Sequence, residues 1–90
     1  MAYSVIESVS KSALDTYLES RDFQTDFSRR RRCAIKSVKT GCNDTAELDD
    51  NGTVGTLHWA LVEDDTNDDH ATYRLNEFGE PEFWATGVEI

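Results

Sequence analysis

Apolar and polar positions alternate most regularly over residues 53–62. Leu57, Trp59 and Leu61 fall on one side of an extended chain there, and Val54, Ala60 and Val62 on the other. Apolar residues on both sides predict a central strand covered at least partly on each face. The segment runs into a polar stretch, residues 63–69, that holds Glu63, Asp64, Asp65, Asp68 and Asp69. Just before it, Asn51-Gly52 is the dipeptide of a two-residue hairpin turn, because both residues tolerate positive φ. Residues 71–78 predict a further strand with Tyr73 and Leu75 on one face. A turn at 79–81 then leads to a last strand over 82–90, where Trp84, Val88 and Ile90 share a side.

The period changes in the N-terminal half. Ala13, Leu14, Tyr17 and Leu18 recur at helical spacing, and Ile6 and Val9 extend the stripe backwards. The pattern predicts a helix to about Arg21, starting as early as Ser4, with Ser10 or Ser12 as its cap and Asp15 completing a capping box with Ser12. Residues 1–9 fit a short strand as well as a first helical turn. Phe23 and Phe27, four apart, meet if the helix continues through 22–28. Residues 33–39 read as a strand, 40–44 as a turn, and 45–48 as a further extended piece. The resulting expectation is an α+β fold in one compact domain, residues 1–90: an N-terminal helix packed on a three- to four-stranded antiparallel meander sheet. Trp59 and one of Phe83 and Trp84 are expected between sheet and helix.

Charge changes this picture. The formal net charge is −9 in 90 residues, and it is unevenly spread. Residues 1–42 carry +3, including the run Arg29-Arg30-Arg31-Arg32, whereas residues 43–90 carry −12 with Arg74 as their one base. Such asymmetry points to partners or to internal pairing. The bland account of the acids is solubility or adaptation to high salt. The bland account of the arginines is pairing with acids on adjoining strands, or protection of a sheet edge. No apolar run is long enough to span a membrane, and no basic-then-apolar leader is present, so a cytoplasmic location is expected.

Catalytic and metal chemistry finds little support, and neither a cofactor nor a metal is expected. Cys33 with His58 or His70 would be the thiol–imidazole pair, yet nothing around either cysteine resembles an activated thiol. Cys33, Cys42, His58 and His70 lack the tight ligand spacing of a zinc site. An EF-hand alignment on Gly52 places Glu47, Asp49 and Asn51 in the first ligand positions but puts His58 where a bidentate Glu is required. The chain is therefore read as a non-enzyme with reduced cysteines.

The function expected is that of a small acidic interaction protein. Carboxylates on a rigid sheet can occupy a nucleic-acid-binding groove, because the same Lys and Arg side chains accept either anion. In size and charge alone the chain resembles small acidic inhibitors carried by phages and mobile elements, among them antirestriction and anti-CRISPR proteins that mimic DNA; no motif carries the resemblance. The expected contact face is Glu63, Asp64, Asp65, Asp68 and Asp69 with Asp49 and Asp50. The expected partner is a protein with a basic surface, a nucleic-acid-binding enzyme or complex. Two other readings compete: direct binding of nucleic acid or a ribonucleoprotein through Arg29, Arg30, Arg31 and Arg32, and an immunity-type or accessory subunit without mimicry.

Overall fold

The computed structural model describes residues 2–66 and 70–86. Asp68, Asp69, Val88 and Ile90 therefore lie outside the described residues. The elements in chain order are β1 (Ala2–Ser8), α1 (Lys11–Glu19), a π-helical segment (Asp22–Phe27), α2 (Ser28–Arg31), β2 (Ile35–Glu47), β3 (Val54–Asp64), β4 (Ala71–Leu75) and β5 (Pro81–Thr86). The α+β class is as expected. The meander is not: the sheet has five strands in the order β2-β3-β1-β4-β5. β1 inserts between β3 and β4, antiparallel to the first and parallel to the second. The two hairpins β2-β3 and β4-β5 thus flank a central N-terminal strand, and the sheet is mixed.

Residues 1–9 gave an ambiguous period because β1 inverts the usual distribution of bulk. Ala2, Ser4, Ile6 and Ser8 are buried, while Tyr3, Val5 and Glu7 are half-buried on the opposite side. Across the register, Ser4 lies beside Val62 and Ile6 beside Ala60. The sheet offers mostly small side chains to the helices, which supply the bulk themselves. Leu14, Tyr17, Phe23 and Phe27 join Ile6, Ala60 and Val62 in one buried cluster. The aromatic rings form a chain across this layer: Tyr17 to Phe23 at 5.7 Å, Phe27 to Tyr73 at 5.5 Å and Tyr73 to Phe83 at 6.0 Å between centroids. Edge-to-face contacts of this kind add to the burial of the rings themselves.

Of the two caps expected for α1, Ser10 is the one used, its hydroxyl accepting from the Ala13 N–H at 3.2 Å. The helix does not start as early as Ser4, which lies in β1, and Asp15 pairs with Lys11 instead of closing a capping box with Ser12. The π-helical widening over Asp22–Phe27 keeps Phe23 and Phe27 both buried, at 5.7 Å from each other. α2 closes in a Schellman arrangement. Arg32 takes the left-handed conformation at φ 53°, and the Cys33 N–H donates to the Ser28 carbonyl at 3.1 Å.

Trp59 does not lie between sheet and helix. It pairs with Gly41 and Glu7, on the sheet face away from the helices, and is half-buried. A Cβ at Gly41 would stand 2.3 Å from the indole, so the glycine is what lets the ring lie flat on β2. Phe83 and Trp84 are 60% and 51% exposed, which corrects the expectation for them too. The parity read over residues 53–62 was right, but the helices took the side with the small residues. Residues 40–44, expected as a turn, are strand: β2 continues through them with bulges at Ile35/Ser37 and Asn43/Ala46.

Candidate functional site

The register fixes which charged segments share an end of the sheet. Ser8 pairs with His58, Glu7 with Arg74, and Leu75 with Pro81. The β2-β3 turn and the β4-β5 turn therefore emerge at the same end, beyond Ser8. The segment between β3 and β4 emerges at the other end, near Ala2, together with the end of α2.

At the Ala2 end, much of the predicted acidic face is internal structure. Asp64 is fully buried, which removes it as a surface contact. Its Oδ1 accepts from the Thr66 N–H at 2.9 Å and hydroxyl at 2.7 Å, and its Oδ2 stands 3.5 Å from Arg31 Nη2 in an ion pair. Asp65 accepts from the Ala34 N–H at 2.8 Å, and Glu63 accepts from the Ser37 hydroxyl at 3.2 Å. The basic run divides in the same way. The Arg31 side chain is only 10% exposed beside Asp64, whereas Arg29, Arg30 and Arg32 face solvent. The two candidate faces of the sequence thus meet each other here. A buried pair of this kind is costly to break from one side.

The Ser8 end is different. Asp44, Glu47, Asp49 and Asp50 on the β2-β3 hairpin and Glu77, Glu80 and Glu82 at the β4-β5 turn are all exposed. Neither residues 41–54 nor residues 75–82 contain a lysine or arginine. The two turns are tied together underneath. Arg74 donates from Nε to Glu7 at 2.9 Å and from Nη1 to the Leu48 carbonyl at 3.4 Å, and it lies 4.0 Å from the centre of the Trp84 ring. Lys11 at the border is held by Asp15 at 2.8 Å, which raises its pKa by hydrogen bond and charge. Asp49 accepts the Asn51 and Thr53 N–H groups at 2.9 and 3.2 Å, and those bonds hold its carboxyl below the usual range. Of the predicted contact residues that are described, only Asp49 and Asp50 belong to this pole. Asp44, Glu47, Glu77, Glu80 and Glu82 were missed because they are scattered over 39 positions of sequence with no dense run to mark them; they share an end because β3 and β4 run in opposite directions.

The β4-β5 turn is tightly determined. Asn76 Oδ1 accepts from the Phe78 and Glu80 N–H groups at 2.8 and 3.0 Å, and the Asn76 N–H donates to the Glu80 carbonyl at 2.8 Å. Gly79 sits at φ 76°, which the turn requires and glycine tolerates. Phe78 is thereby held outward, 78% exposed.

Both cysteines are free. Burial, and next the charge of Asp64, push the Cys33 thiol up, the opposite of activation. His58 stands across from Cys42 rather than Cys33. Among the described residues no cluster of His, Cys, Asp and Glu could hold a metal ion, and no helix is long and apolar enough to cross a membrane. No family model, curated protein or solved structure matches the chain.

Proposed function

We propose that the protein is a non-catalytic interaction protein that presents the acidic pole of its sheet to a basic surface on another protein. The observation that carries this reading is the exposure of Asp44, Glu47, Asp49, Asp50, Glu77, Glu80 and Glu82 on two turns at one end of the sheet, neither of which contains a lysine or arginine. The partner class is a nucleic-acid-binding enzyme or complex in the cytoplasm. There the carboxylates stand in for phosphates against Lys and Arg side chains and block the groove. Like charges on one rigid end raise the rate of encounter with a basic partner more than they strengthen the final complex, so binding is salt-sensitive.

The test is capture from a nuclease-treated cell lysate, with wild type beside a variant carrying Asp49→Asn, Asp50→Asn, Glu77→Gln and Glu80→Gln. The expected prey is a nucleic-acid-binding protein that persists after nuclease and is lost with the variant. Capture that nuclease abolishes would instead favour contact with nucleic acid through Arg29, Arg30 and Arg32. That second reading has its own support, since the three side chains are exposed at the opposite end of the sheet.

A further inference from the structure

We infer that the groove between α1 and the β4-β5 turn is a docking site for an arginine-bearing segment of the basic partner, with Phe78 as its anchor. The inference rests on the proposed binding of a basic protein and names where, and through which side chain, that protein is gripped.

The groove has a volume of about 410 Å³ and is lined on one wall by Ser12 and Thr16 of α1 and by Ser20 just past its end, whose hydroxyl already bonds the Tyr17 carbonyl and the Phe23 N–H. Asp22 and Glu77 supply its carboxylates, Phe78 and Gly79 form the opposite lip, and no lysine or arginine lines it. The volume suits one or two side chains rather than a cofactor. Glu77 also belongs to the acidic pole, so the groove continues that surface around the side of α1.

Phe78 decides the chemistry. A large ring left 78% exposed forgoes the burial that usually stabilises it. Here the exposure is enforced, because the Asn76 hydrogen bonds and the positive φ of Gly79 fix the turn that carries it. An aromatic anchor already held in place loses little freedom on binding. Guanidinium is the group that fits: it stacks on an aromatic face, bonds carboxylates in a forked geometry, and gives its remaining N–H groups to hydroxyls. A lysine ammonium matches the charge but not the stacking.

Fluorescence anisotropy with labelled hexa-arginine and hexa-lysine peptides tests this on the full chain at low salt. Wild type should prefer hexa-arginine. Phe78→Ala should weaken hexa-arginine by about three- to fivefold, the worth of an exposed cation–π contact, and leave hexa-lysine unchanged. The substituted side chain is exposed, so the melting temperature should hold and exclude misfolding as the cause. Equal affinity for the two peptides in wild type, or an unchanged hexa-arginine affinity in Phe78→Ala, overturns the inference. The two proposals fail separately: loss of lysate capture in the pole variant with no effect of Phe78→Ala leaves the pole standing without the groove, and the converse leaves the groove without the pole.

Discussion

The two ends of the sheet carry the same kind of side chain and use it in opposite ways. At the Ala2 end, the described carboxylates of the densest acidic stretch are spent on the fold: Asp64 is buried against Arg31, and Asp65 holds the backbone at Ala34. At the Ser8 end, a sparser set of carboxylates stays in water on two rigid turns. Density along the chain is therefore a poor guide to a charged face. What matters is which segments the topology brings together, and whether a cation has already been supplied from within.

The sharpest way to break this comparison is to remove one carboxylate from each end. Asp64→Ala leaves Arg31 without its buried counter-charge and should cost about 3–5 kcal/mol. Asp50→Asn on the exposed hairpin should stay within about 0.5 kcal/mol. Urea unfolding of the two variants checks both, and equal losses would erase the distinction between the ends.

Between the ends, Tyr17 reports on how dry the helix layer is. Its phenol is buried without a hydrogen-bond partner, and burial pushes its pKa up to about 12. The unfolded chain ionises this group near pH 10 while the folded chain keeps its proton. Stability should therefore fall as pH rises from 10 to 12, by about 2–3 kcal/mol from this residue. Tyr17→Phe should abolish that part of the alkaline loss without weakening the fold at pH 7. Denaturant midpoints measured against pH for the two proteins give the difference directly.

Smaller effects sharpen the account of the frame that separates the ends. Gly41→Val places a side chain against the Trp59 ring and should cost about 1–3 kcal/mol, with a shift in tryptophan fluorescence. At the basic end, Arg32→Gly relieves a left-handed residue and should raise stability by about 0.5–1 kcal/mol, seen as a higher melting temperature.

Local signals in the sequence were read correctly where they depend on neighbours. The Ser10 cap, the contact of Phe23 with Phe27 and the two-sidedness of β3 follow from spacing alone. Asn51-Gly52, by contrast, marked the place of a turn but not its type: of the two only Gly52 takes positive φ, at 81°, and the Leu48 N–H donates to the Thr53 carbonyl across a longer loop than the two residues expected. The position of β1 was not legible, because serines on its buried face and Tyr3 and Val5 on the other make the apolar pattern point the wrong way. With β1 unplaced, β3 and β4 looked adjacent and the sheet looked like a meander. The acidic pole does not depend on β1, since β3 and β4 run in opposite directions with or without it between them and their hairpin turns share an end either way. Its carboxylates were overlooked because they are sparse along the chain. Trp59 misled for another reason: its size suggested the core, but the bulk facing the sheet comes from the helices. Asp64 looked like surface because nothing in its own segment names Arg31, 33 positions earlier, as its partner.

The central claim is that exposed carboxylates at the Ser8 end bind, and that the buried carboxylate at the Ala2 end folds. Its most direct test is the affinity of the captured partner for wild type and for the Asp49→Asn, Asp50→Asn, Glu77→Gln, Glu80→Gln variant, across a salt series with the urea midpoint recorded alongside. The account predicts a midpoint lowered only by the loss of Asp49's charge-assisted bonds within its own turn, and an affinity at least about tenfold weaker at low salt, or about 1.4 kcal/mol, with the gap narrowing as salt screens exposed charges. An affinity equal to wild type at every salt concentration would contradict it.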